Sequence, residues 1–183
     1  GDGDLDVCFA GVGKLKHAGI YHNDGEGNFV AGHGFAQKVV SPCFGDVDDD
    51  GDADLWLGRG INDLYFENDG KGYFAATKIT TEDDNATSCA RMVDIDGDGD
   101  LDFMSFGPGR ENVVLNNNRD GSFTDIAEKL GLALGDADIT SAIYDDFDND
   151  RDLDLILFPE NGKPICWVND RVWEYHILDA DAV

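Results

Sequence analysis

Short apolar runs alternate with acidic and glycine-rich turns along the whole chain. The runs Leu5-Asp6-Val7-Cys8-Phe9, Leu55-Trp56-Leu57, Leu101-Asp102-Phe103-Met104 and Leu153-Asp154-Leu155-Ile156-Leu157 each follow a cluster of aspartates. Runs this short, bounded by turn residues, predict strands, and helical periodicity is scarce. Further on, three segments share a hydrophobic pair, an Asn, a glycine turn and a Phe. They are Ile20-Tyr21-His22-Asn23 to Phe29, Tyr65-Phe66-Glu67-Asn68 to Phe74, and Val114-Leu115-Asn116-Asn117 to Phe123. The last copy departs, because Trp167-Val168-Asn169 lacks the glycine turn. Small residues precede each complete cluster at matching places, Ser41-Pro42, Cys89-Ala90 and Ser141-Ala142, and suit a crowded inner strand. The one helical expectation is a turn or two over Asp125-Ile126-Ala127-Glu128-Lys129-Leu130.

The pattern is a repeat. The last Asp of each cluster is Asp6, Asp54, Asp102 and Asp154, at intervals of 48, 48 and 52 residues. Each unit reads strand, acidic loop, strand, turn, strand, glycine turn, strand. A four-stranded unit of about 40–50 residues is the signature of a propeller blade. A single blade leaves both faces uncovered, so blades must stack. The fold class expected is therefore all-β, a partial β-propeller of four-stranded antiparallel blades. Its units fall at residues 1–34, 35–84, 85–134 and 135–183.

Composition sharpens this reading. The 183 residues carry 39 Asp and Glu against 13 Lys and Arg, a formal charge of −26. That charge excludes nucleic acid, whose phosphates need basic partners, and an anionic membrane surface. No apolar run approaches the roughly 18–20 residues of a spanning helix. A hydrophobic content of 42% argues against disorder.

The acid is concentrated. Three complete loops run Asp46-Val-Asp48-Asp-Asp50-Gly-Asp52-Ala-Asp54, Asp94-Ile-Asp96-Gly-Asp98-Gly-Asp100-Leu-Asp102 and Asp146-Phe-Asp148-Asn-Asp150-Arg-Asp152-Leu-Asp154. Like charges at alternate positions repel unless a hard divalent cation holds them together. Carboxylates at positions 1, 3 and 5 converge when the chain turns at position 6; position 7 adds its backbone carbonyl and position 9 closes the shell. That set suits Ca2+, with Mg2+ a second choice and Zn2+ lacking Cys or His ligands. An EF-hand would need Glu at position 12, where this chain has Leu57, Ser105 and Leu157. Arg151 replaces the glycine of the other loops and brings strain and positive charge, so the third complete loop is expected to bind more weakly. Asp2, Asp4 and Asp6 are positions 5, 7 and 9 of a further loop whose first ligands are absent, and the chain is expected to be part of a longer one.

These residues resemble a known family. Phe44-Gly45-Asp46 through Asp54-Leu55 is similar to the core of FG-GAP/VCBS repeats, and Asp120-Gly121-Ser122-Phe123-Thr124-Asp125-Ile126-Ala127 through Gly131-Leu132 to the version beside ASPIC/UnbV domains. The resemblance covers essentially the whole chain. It implies a calcium-stabilised propeller like the integrin α head, with the acidic loop joining the first two strands of each blade. It also implies a ring of about seven blades, so that the remaining blades of the parent chain are partners of these four.

No nucleophile elbow, His-Glu-x-x-His or P-loop is present. His17, His22, His33 and His176 are scattered, and no catalytic site is expected. Cys8, Cys43, Cys89 and Cys166 allow two disulfides in three connectivities, or buried thiols. Asn85-Ala86-Thr87 is a glycosylation sequon in a polar connection. Trp56, Trp167 and Trp173 are read as packing residues, with stacking on sugar rings as the alternative. The function expected is a non-enzymatic binding, adhesion or scaffold module in an extracellular or periplasmic setting, meeting a protein or glycan ligand. The alternatives are a carbohydrate-binding lectin, an accessory propeller of a polysaccharide-active enzyme, and a subunit of an extracellular filament.

Overall fold

The computed structural model describes residues 3–11, 18–35, 38–59, 62–77, 86–108, 112–135, 137–170 and 175–178. Strands β1 (Val7–Phe9), β2 (Ala18–Asn23) and β3 (Phe29–Phe35) form a three-stranded antiparallel sheet. Three four-stranded antiparallel sheets follow in chain order. They are β4 (Val39–Gly45), β5 (Asp54–Arg59), β6 (Leu64–Asn68) and β7 (Phe74–Thr77); then β8 (Cys89–Val93), β9 (Asp102–Phe106), β10 (Val113–Asn117) and β11 (Phe123–Asp125); then β12 (Ile139–Asp145), β13 (Asp154–Pro159), β14 (Ile165–Asn169) and β15 (Tyr175–Leu178). This is an all-β partial propeller, and the acidic loops join the first strand of each blade to the second.

The second strand of each blade explains the stacking. Side chains alternate between the two faces of a strand, yet β9 is buried at every residue. Both of its faces are covered, by the blade before and the blade after. In β5, Leu55 and Leu57 join Ala18, Ile20 and Phe35 of the first blade. Trp56 points the other way and stacks on Phe103 of the third blade at 4.2 Å. In β9, Met104 and Phe106 face Leu155, Leu157 and Trp167 of the fourth. The apolar runs are therefore layers between blades.

The first strands come together on the inner side, β4 against β8 and β8 against β12. The small residues expected there make this approach direct. The Ala90 N–H donates to Ser41 Oγ at 2.9 Å, and Arg91 donates to the Ala142 carbonyl at 3.1 Å. The helical expectation at 125–130 becomes a single turn. The Asp125 carboxylate caps the Ala127 N–H (2.9 Å), and Gly131, at φ 68°, ends the turn. There Gly131 N–H donates to Glu128 O and Leu132 N–H to Ala127 O, a Schellman closure. The turn delivers Ile126, Leu130 and Leu132 to the core between the third and fourth blades. Trp167 donates to Leu130 O at 2.8 Å.

Trp56 and Trp167 are thus packing residues, while Trp173 and His17 lie outside the described residues. All four cysteines are free thiols. Thr87 of the sequon is buried rather than part of a polar surface connection. Its hydroxyl, with that of Ser105, donates to the buried Asp63 carboxylate, tying the second blade to the third. Asn85 lies outside the described residues.

Candidate metal centre

The three complete loops share one backbone geometry. Position 6 is left-handed in each, at φ 92° for Gly51, 93° for Gly99 and 81° for Arg151. The position-1 carboxylate closes the loop on itself. Asp46 accepts from the N–H groups of Asp50 and Gly51 (3.1 and 3.0 Å). Asp94 accepts likewise from Asp98 and Gly99, and Asp146 from Asp150 and Arg151. Arg151 therefore keeps the turn its glycine counterparts make, and the strain expected of it is carried in its backbone. Position 5 takes the N–H of position 7: Asp50 from Asp52, Asp98 from Asp100, Asp150 from Asp152.

Position 9 is the buried hub. Asp54, Asp102 and Asp154 are almost wholly enclosed. One oxygen accepts from the position-2 N–H, at Val47, Ile95 and Phe147 (3.0, 2.9 and 2.9 Å). The other accepts from a backbone N–H at the end of the third strand, at Asn68, Asn117 and Asn169 (2.9, 2.9 and 3.0 Å). Asp54 also accepts from the Tyr65 hydroxyl at 2.8 Å. In the first blade, Asn23 donates to Asp6 in the same way and His22 faces its second oxygen at 3.0 Å. Asp2 lies outside the described residues.

These contacts draw three carboxylates together in each complete loop. Asp46, Asp48 and Asp50 place oxygens within 4.8 Å of one another, as do Asp94, Asp96 and Asp102, and Asp146, Asp148 and Asp154. Asp54, Asp98 and Asp150 are not members of these clusters, and neither are the position-7 side chains of Asp52, Asp100 and Asp152. The convergence is electrostatically unfavourable without a cation. Burial, then the neighbouring carboxylates, raises the pKa of Asp48 above the usual range. Asp96 and Asp148 are raised too, by burial first. Burial pushes Asp102 up to about 7, with Asp96 and Asp100 adding to it. An all-oxygen set of anionic ligands on a loop that closes by itself fits Ca2+.

A groove of about 380 Å³ runs between the second and third blades, beside the second loop. Asp46, Asp48, Asp49 and Glu67 line one side; Asp100 and Arg119 line the other. An equivalent hollow lies between the first and second blades, where His22 replaces Glu67 and Gly70 replaces Arg119. Asn117 crosses the boundary, its side-chain amide donating to Val47 O in the second loop at 2.9 Å.

The model of the FG-GAP-like repeat matches residues 1–57, 46–105 and 94–157, each match running from one acidic loop into the next. The chain belongs to the FG-GAP-like repeat family. No curated protein matches it. Among solved structures, these FG-GAP-like blades are similar to an Agrocybe aegerita lectin from a study of specific recognition of non-reducing terminal N-acetylglucosamine. The identity is 23% and the TM-score 0.59, over 96% of this chain and 48% of that one. The likeness is one of fold, and the chain spans about half the length of that relative.

Sequence reasoning placed the aspartates of the FG-GAP-like loops but missed what holds them. The Asn that ends each third strand was visible as a recurring residue; in the first three blades its side-chain Oδ1 accepts the N–H two residues on and so shapes the turn, a task its backbone bond to position 9 does not require. Tyr65 carried no such signal, since its counterparts in the other blades are different residues; Arg119 recurs only once, as Arg171 two residues after Asn169, which lies outside the described residues.

Proposed function

We propose that the chain is the calcium-stabilised part of an extracellular β-propeller that serves as a non-enzymatic binding, adhesion or scaffold module. The observation that carries this reading is the triple recurrence of converged carboxylates at the same joint of successive blades. In the second loop Asp46, Asp48 and Asp50 would hold the ion; in the third Asp94, Asp96 and Asp102; in the fourth Asp146, Asp148 and Asp154. The ion supplies positive charge that cancels their repulsion, and binding to the folded state alone stabilises it by mass action. Millimolar calcium outside cells keeps modest oxygen sites filled, which supports an extracellular or periplasmic setting. The stiffened blades then present loops to a protein or glycan. Thermal melting in EDTA and in calcium tests this. Calcium should raise the midpoint well beyond what equal ionic strength of NaCl achieves, and an identical midpoint in both would remove the calcium reading.

A second reading, a lectin, is favoured by the grooves between blades and by the fold shared with the N-acetylglucosamine-binding lectin. Polar and charged groups beside an aromatic ring suit a sugar, and Tyr65 and Phe123 line the first groove. Retention on N-acetylglucosamine-terminated beads, lost on Glu67→Ala, would support it. A silent glycan array in saturating calcium would count against it.

A further inference from the structure

In the turn after the third strand, the first of the two glycine positions is not kept in every blade. Gly25 and Gly70 stand there in the first and second, at φ 76° and 70°, and Arg119 stands there in the third at φ 59°. The backbone is otherwise alike. Each N–H donates to the side chain of the preceding Asn, Asn23, Asn68 or Asn117 (3.1, 3.2 and 3.0 Å). In the glycine blades the position-7 carboxylate leans over the turn: a Cβ on Gly25 would come within 2.7 Å of Asp4, and one on Gly70 would collide with Asp52. In the third blade the guanidinium fills this place. Arg119 Nε donates to Asp100 Oδ2 at 2.7 Å, and a terminal nitrogen donates to the Asp98 carbonyl at 2.6 Å and lies 3.6 Å from Asp98 Oδ1. The Asp100 side chain is only 9% exposed, and its Oδ1 has no hydrogen-bond partner among the described residues. Arg119 thus engages positions 5 and 7 of a loop with five aspartates.

We propose that Arg119 is a built-in counter-charge of the third-blade loop, holding it in shape without metal and lowering its calcium affinity below that of the second-blade loop. The inference rests on the calcium reading above. A cation relieves carboxylate repulsion whether it arrives as an ion or on a side chain. Relief already supplied by Arg119 is not gained again on calcium binding, and the guanidinium also repels the incoming ion. Its side chain is 57% exposed, so water and salt screen the effect to a few-fold.

Calcium titration followed by NMR reads the two loops separately, through the amides of Gly51 and Gly99. Both amides donate to a position-1 carboxylate. In the 183-residue chain, Arg119→Gly and Arg119→Gln should each tighten the Gly99 midpoint by about two- to five-fold and leave the Gly51 midpoint in place, and Arg119→Gln, which keeps a side chain on the left-handed backbone, should lower the metal-free melting temperature. Gly51 and Gly99 midpoints that stay unchanged in both variants would overturn the inference while leaving calcium binding intact. Tightening by the glycine variant but not the glutamine one would also overturn it, because backbone strain and not charge would then be the cause. If neither amide responds to millimolar calcium in the parent chain, the calcium reading falls and the inference falls with it.

Discussion

Asp54 offers the sharpest test of the idea that the acidic loop is a structural joint before it is a metal site. Its carboxylate is fully buried and serves three donors: the Val47 N–H, the Asn68 N–H and the Tyr65 hydroxyl, at 3.0, 2.9 and 2.8 Å. Burial and the bond to Asp54 both hold the Tyr65 proton in place. Asp54→Ala strands all three donors. A buried donor left unpaired costs about 1–3 kcal/mol. Partial rescue by water at the loop end brings the sum to about 3–6 kcal/mol, and for a chain of this length each kcal/mol shifts the midpoint by about 2–4 °C. The variant should therefore melt about 10–20 °C below the parent even in EDTA. Asp54→Asn keeps one acceptor and should fall between the two. Circular dichroism melts at one pH, in EDTA and in calcium, measure both terms. A metal-free midpoint for Asp54→Ala within about 3 °C of the parent would refute the joint. If the loss were seen only in calcium, Asp54 would be a ligand without the framing role assigned to it.

Three other expectations follow from the same geometry. Asp102 binds its proton more tightly folded than unfolded, since burial lifts it to about 7. Its contribution to metal-free stability is therefore full below the unfolded value near 4 and is lost as pH rises through about 7. Melting temperature in EDTA should fall from pH 5 to pH 8, and a rise would contradict the assignment; calcium should flatten the slope by displacing the proton. Arg151→Gly relieves a left-handed arginine at φ 81° and should stabilise the fourth blade by about 1 kcal/mol, read by urea denaturation, with a loss of stability counting against the strain. At Gly107 an added Cβ would collide with the Ala86 carbonyl oxygen, so Gly107→Ala should cost about 3 kcal/mol or more in the same assay, and a neutral result would mean that this backbone approach is looser than it stands.

The blades were legible because their signals are local. Leu55-Trp56-Leu57 is too short and too apolar for anything but a doubly covered strand, and aspartate at every second position needs a reason that only charge convergence supplies. The turn at Asp125–Leu130 was legible as a short helical stretch, while its cap by Asp125 and its stop at Gly131 emerge only in the structure. What escaped lies across the repeat. Thr87 reads as a polar connection, and its burial depends on Asp63, 24 residues earlier. Arg119 reads as one more turn residue, because its partners Asp98 and Asp100 are some twenty residues away in another turn. The division of each loop into ligands and framework was also hidden, since position 7 carries the same aspartate as its neighbours but takes a different part.

The amide of Asn117 reaching Val47 has a consequence for how the chain is built. The bond joins residues 70 apart and belongs to one blade's third strand and the preceding blade's loop. As the polypeptide leaves the ribosome, the second loop is thus finished only by a residue synthesised long after it. This joint matures one blade behind the growing end, so an arrest before the third blade's third strand would leave the second loop without its last stitch.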